Sequence, residues 1–167
     1  AGHDVAPHYL PDGRIVFSST RQRRSRAILL DESKPQFSAL DEDRDREAFL
    51  LHVMDEDGEN IEQITYNQSH DLQPSVLANG EVVFLRWDNA ANNNSLSLYK
   101  VDPHGYNLTL LYGYHSQDAA GDVEATYFQP REMPDGRILV SYRPRENDTF
   151  GGDIVTIDSE NFIDINQ

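Results

Sequence analysis

Three arginines, Arg21, Arg86 and Arg143, each follow closely on a run of β-prone residues. A guanidinium is a rigid fork of donors that matches the oxygens of a carboxylate or phosphate. Placed at strand ends, where a sheet protein gathers its rims, these arginines either take an anionic ligand or pair with acidic neighbours and lock sheets together. Trp87 stands beside Arg86 and supplies an apolar wall, and His70 precedes Asp71 a short way upstream. Arg21, Arg86, Trp87, Arg143 and His70 are therefore the candidate ligand-binding residues.

His-Asp-x-x-Pro occurs twice, as His3-Asp4 before Pro7 and His70-Asp71 before Pro74, while Tyr127 holds the Asp position before Pro130. Imidazole and carboxylate at one rim can hold a divalent cation, but Tyr127 breaks the symmetry of such a site. The favoured role is structural, with each Asp bonding backbone amides of the adjacent turn. Asp55-Glu56-Asp57-Gly58 lacks the register of a calcium loop, because Val53 stands where the first ligand belongs. It reads as a solvated hairpin turn. No Gly-x-Ser-x-Gly, His-Glu-x-x-His or phosphate loop is present, so no catalytic residue is assigned. The absence of cysteine removes disulfides, thiolate nucleophiles and c-type haem attachment. Neither a cofactor nor a metal is expected. Asn67, Asn93, Asn107 and Asn147 head glycosylation sequons that matter only on a glycosylating secretory route.

Formal charge is −15 over 167 residues. A surface of that sign repels phosphate backbones and anionic head groups, which argues against nucleic acid as a partner. No run of 18 apolar residues exists, so no membrane-spanning helix is predicted. The opening Ala1-Gly2-His3-Asp4 shows no signal peptide and reads as the start of a mature fragment.

The elements that must position these residues recur in step. Pro7 to Phe17, Pro74 to Phe84 and Pro130 to Val140 each set a glycine six residues after a proline, with Asp or Asn just before that glycine and a β-branched run after it. A second turn follows each copy, at Asp55-x-x-Gly58, Asp102-x-x-Gly105 and Asp158-x-x-Asn161. Pro-Asp-Gly, Asn-Gly and Asp-x-x-Gly supply the restricted and positive φ that tight hairpins require. The spacing predicts strands at 14–19, 49–54, 61–66, 81–87, 96–101, 107–112, 137–142, 153–157 and 162–165, with a further short strand before each Pro-Asp-Gly or Asn-Gly turn. Ile15-Val16-Phe17 and Val82-Val83-Phe84-Leu85 are apolar on both strand faces, as expected of a sheet sandwiched between two others. No helix is expected; the best helical candidate, Ala48 to Met54, favours strand.

Four strands per copy and three copies describe an all-β chain of about three propeller blades. The blades span roughly 1–70, with an insertion at 22–47, then 71–125 and 126–167. The insertion runs from basic Arg21–Arg26 through apolar Ala27–Leu30 to mostly acidic Asp41–Glu47. It either contacts a partner or forms a surface loop held by its own opposite charges. Three blades cannot close a ring, so missing blades or self-association is expected to complete it.

Asp4-x-x-Pro7-x-x-x-Pro-Asp-Gly13-x-Ile-Val-Phe-x-Ser-x-Arg21, with Met54-Asp55-x-Asp-Gly58 and Gln63-Ile-Thr65, resembles the repeat of TolB-type propellers. Phe17-Ser-Ser-Thr-Arg21, Ile64-Thr65-Tyr-Asn-Gln-Ser-His70-Asp71, Pro74–Gly80 and Phe84-Leu-Arg86-Trp87 are similar to propellers related to the middle domain of the hydrazine synthase alpha subunit. The first resemblance implies a bacterial periplasmic or extracellular scaffold that binds a protein or small ligand at the propeller rim without catalysis of its own. The second implies a module of a larger multidomain enzyme, redox or carbohydrate-active, with the chemistry outside this chain. The missing Cys-x-x-Cys-His departs from the haem-bearing enzyme, and its activity is not carried over.

Overall fold

In the computed structural model of the chain, residues 2–41, 43–90, 93–113, 125–144 and 151–158 are described. Eleven strands and one helix make up this part. The first sheet joins β1 (Asp4–Tyr9), β2 (Ile15–Ser19), β3 (Leu50–Met54) and β4 (Glu62–Gln63), with α1 (Arg23–Asp31) between β2 and β3. The second joins β5 (Asp71–Val76), β6 (Val82–Ala90), β7 (Asn93–Val101) and β8 (Thr109–Tyr112). The third joins β9 (Ala125–Glu132), β10 (Ile138–Pro144) and β11 (Asp153–Ile157). Every pairing is antiparallel between consecutive strands, so each sheet is a meander. The expected strand at 162–165 lies outside the described residues, and the stack is not a closed ring.

One hairpin geometry recurs five times. Gly13 N–H donates to the Leu10 carbonyl at 3.0 Å while Leu10 N–H donates to the Arg14 carbonyl at 2.8 Å. The same two bonds recur around Gly58, Gly80, Gly105 and Gly136. All five glycines hold φ between 85° and 88°, the left-handed position that ends a three-residue hairpin loop. An Asp or Asn side chain braces each loop by accepting an amide two residues on, as Asp12 does from Arg14 at 3.1 Å and Asn79 from Glu81 at 2.9 Å. The expected turn chemistry is what the chain uses at these five turns, while Asp158-x-x-Asn161 runs outside the described residues.

The first strand of each sheet also carries the same bulge. Residues 5 to 8 of β1 face 18 to 16 of β2, residues 72 to 75 face 85 to 83, and residues 128 to 131 face 141 to 139. The extra residue is Ala6, Gln73 or Gln129, at φ 52°, 53° and 51°, each followed by a proline that has no N–H to leave unpaired. Neighbouring bulges touch: Gln129 N–H donates to Gln73 Oε1 at 2.7 Å.

Alternation along β6 sets the stacking. Val82 and Phe84 join Val16, Leu51 and Val53 of the first sheet in one core cluster, whereas Val83 and Leu85 join Tyr127, Ile138 and Val140 of the third in another. The doubly apolar run is thus a central sheet covered on both faces. On the outward face of the third sheet Ile154 is 69% exposed.

A helix was not expected in the insertion, yet α1 spans nine of its residues. Its apolar Ala27–Leu30 are contiguous and none of its residues is buried, so no helical period marks it. Side chains of the sheet hold it in place. Gln63 Nε2 donates to Ser25 Oγ at 2.7 Å, and Ser25 N–H donates to Gln63 Oε1 at 3.3 Å. The opposite charges also meet within the insertion, where Arg26 pairs with Glu47.

Candidate functional site

The three arginines occupy three different registers. Asp4 pairs with Ser19, Asp71 with Arg86 and Tyr127 with Tyr142 across equivalent strand positions, so Arg86 aligns with Ser19 and Tyr142. Arg21 lies two residues further along, past the end of β2, and Arg143 one residue further, on the opposite strand face. By register Arg143 stands apart from Arg86. Arg21 donates to Asp4, with Nε to Oδ1 at 3.1 Å. Arg86 grips Asp71 with two bonds of 2.8 and 2.9 Å, its side chain 8% exposed and that of Asp71 0%. Its guanidinium also lies over Phe84 and Tyr99, 5.6 and 5.2 Å from the ring centres. Burial disfavours the charged Arg86, but the Asp71 carboxylate outweighs it and holds the group above its ordinary pKa. Arg143 stacks on Phe128 at 4.6 Å, and its buried Nε has no hydrogen-bond partner among the described residues.

Asp4 and Asp71 therefore spend their carboxylates on arginine side chains rather than on turn amides, a correction to the expected role. Burial alone would raise Asp4, but bonds from Arg21 and Ser19 outweigh it and set its pKa low. His70 is used structurally: its Nδ1 accepts the Phe49 N–H at 3.1 Å, and its ring stacks between Phe49 and Trp87 with centroids 5.9 and 5.8 Å away. Asn67 Nδ2 ties this corner together, donating to the Trp87 carbonyl at 2.9 Å and to the His70 carbonyl at 3.2 Å. Asp55 and Asp57 serve their own hairpin, accepting from Asn60 Nδ2 and Glu59 N–H. No group of three or more His, Asp or Glu side chains is placed to hold a metal among the described residues.

Next to this corner the insertion forms a cleft of about 590 Å³ against the second sheet. One wall is Ile28 and Leu29 of α1 with Phe37; the other is Tyr66, Asn67 and Asp88. Gln22, wholly buried, staples the wall down. Its Nε2 donates to the carbonyls of Ala39 and Ala48 at 3.0 and 2.8 Å, and its Oε1 accepts the Ala39 N–H at 2.7 Å. Phe37 stays 68% exposed at the cleft, an apolar surface that no described residue covers. Across from it, burial pushes the Asp88 carboxyl up against the lowering effect of the Tyr99 hydroxyl, which donates to it at 3.1 Å. An apolar floor facing one reluctant carboxylate and two amides suits a ligand with an apolar body and a donor or cationic head.

Gln22, Phe37 and Asp88 were not among the candidates read from the sequence. Asp88 adjoins Trp87, and that proximity was the available signal. The roles of Gln22 and Phe37 depend on how the insertion folds back, which no local pattern encodes.

No protein-family model matches the chain, and no curated protein matches it. Among solved structures, the chain is similar to hydrazine synthase of Kuenenia stuttgartiensis, with a TM-score of 0.65 and 15% identity over 95% of this chain. The chain spans 25% of the length of that protein's chain. The fold of this chain is related to a quarter of hydrazine synthase.

Proposed function

We propose that the chain is part of a β-propeller of the TolB type, working in the bacterial envelope as a binding scaffold without catalysis of its own. Three stacked meanders, with the first-strand bulges of the second and third in contact, support the propeller. The cleft between α1 and the second sheet carries the functional reading: an apolar wall with an exposed Phe37 faces Asp88 and the amides of Asn67 and Asn89. The ligand is a small molecule or partner side chain with an apolar body and a cationic or donor end. A thermal-shift titration with aromatic and alkyl amines tests this. Saturable stabilisation that disappears in Leu29→Asp is expected; no saturable response to any amine in the wild type would end the proposal.

A second reading is favoured by the likeness to hydrazine synthase, in which this fold is a quarter of a longer chain. In that reading the chain is a propeller module of a multidomain enzyme, and the chemistry lies outside it, since no cysteine here can anchor a haem. Mass measurement of the native protein decides between them. A polypeptide with a separate catalytic domain supports the module, and one built of further propeller repeats alone supports the scaffold.

A further inference from the structure

A second cavity, of about 290 Å³, lies on the other side of α1, lined by Arg21, Arg23, Arg24, His52, Glu62 and Gln63. We propose that it is a site for a hydrogen-phosphate group, free or as a small phosphomonoester, independent of the cleft described above.

Four observations meet there. Arg23 and Arg24 are exposed and make no ion pair with any described residue, although the chain carries a net charge of −15. Arg21 is neutralised by Asp4, so the free charge at the cavity is Arg23 and Arg24 against Glu62. The helix α1 begins at Arg23 with no side-chain cap, and its first two amides find no acceptor among the described residues. Uncapped N-terminal amides and guanidinia are both donors toward an oxyanion.

The fourth observation selects the anion. His52 lines the same cavity and is only 2% exposed, and its Nδ1 lies 2.9 Å from the Leu50 carbonyl. A carbonyl only accepts, so Nδ1 carries the proton and Nε2 of the neutral ring is an acceptor with no bond to any described residue. Burial outweighs the raising effect of the Leu50 carbonyl and holds His52 below the ordinary imidazole pKa, which keeps that tautomer neutral. A ligand filling this cavity must therefore offer negative oxygens to the arginines and one O–H to Nε2. Monoprotonated phosphate offers both, as does the protonated fraction of a phosphomonoester, whose second pKa is about 6, whereas sulfate and carboxylates at neutral pH offer no proton.

Isothermal titration of the whole chain with inorganic phosphate, phosphoserine, sulfate and acetate at matched ionic strength tests the assignment. Phosphate or phosphoserine is expected to bind saturably, with sulfate and acetate at least about tenfold weaker, the worth of one charge-assisted bond. The Arg23→Gln/Arg24→Gln variant, altered only at exposed side chains, should fold normally and bind phosphate at least about tenfold more weakly. Phosphorus NMR linewidths on both proteins give a readout that does not rest on heat. Preference for phosphoserine over inorganic phosphate identifies the organic ester as the ligand; equal binding identifies the free ion. No saturable phosphate binding, equal affinity for sulfate, or an undiminished response in the double variant would each overturn the proposal.

Discussion

Asp71 and Arg86 offer the sharpest quantitative test of how the second sheet is held. Asp71→Ala removes a carboxylate that is fully buried and accepts two bonds from a guanidinium only 8% exposed. The guanidinium cannot lose its proton, and its stem is fixed over Phe84 and Tyr99, so it cannot swing out to water without vacating that packing. Removing one partner of such a pair costs about 3–5 kcal/mol, because an uncompensated charge stays buried. The double change Asp71→Ala/Arg86→Met removes the charge as well and should fall within about 2 kcal/mol of the wild type. Trp87, the only tryptophan, stacks beside this corner and reports unfolding by fluorescence. With a urea slope of about 2 kcal/mol/M, the single variant should unfold about 2 M earlier. Asp4→Ala is the control: its ion pair with Arg21 is partly solvated, and its loss should cost no more than about 1 kcal/mol. A single-variant loss below about 1 kcal/mol, or a double variant equal to the sum of the two singles, would refute the reasoning.

Three further outcomes follow from the packing. Gln22→Ala strands the Ala39 N–H and the Ala48 carbonyl, so limited proteolysis should cut within 23–47 far sooner than in the wild type, while the sheets melt almost unchanged; equal cleavage rates would contradict this. Gly105→Ala sets a Cβ 2.7 Å from the Ile64 carbonyl oxygen at φ +86°, whereas Gly136→Ala meets nothing within 4 Å. Both incur about 1–2 kcal/mol of left-handed strain, and chemical denaturation should show Gly105→Ala clearly the worse. Asp88 has a folded pKa above its unfolded value, so it binds its proton more tightly when folded and weakens the protein as pH rises through that interval. Asp88→Asn should therefore be more stable than the wild type at pH 7, with the gap closing in acid; a gap that does not change with pH would show that burial of this carboxyl carries no cost.

The repeat was legible because turn chemistry is local. Gly13, Gly80 and Gly136 announce positive φ by residue type alone, and Val82–Leu85 announces two covered faces by its composition. The site was less legible. Arg21, Arg86 and Arg143 stand eight, six and seven residues after their turn glycines. Counting by twos along a strand would have split the third from the others and denied a common site. The pairing of Asp4 with Arg21 and Asp71 with Arg86 joins residues 17 and 15 apart in sequence, across a bulge that sequence does not reveal. The helix α1 was hidden for a different reason. It buries nothing and depends on Gln63, 38 residues away from Ser25, to dock it.

Being enclosed on both sides has a cost in time as well as in area. Amides of β6 lie behind two layers of neighbouring side chains, so deuterium can reach them only after the first or third sheet has peeled away. The outer sheets should take up label earlier, each as a unit, and the middle one should keep its protons until the whole molecule opens. The same order should govern mechanical unravelling, with the centre of the chain yielding last.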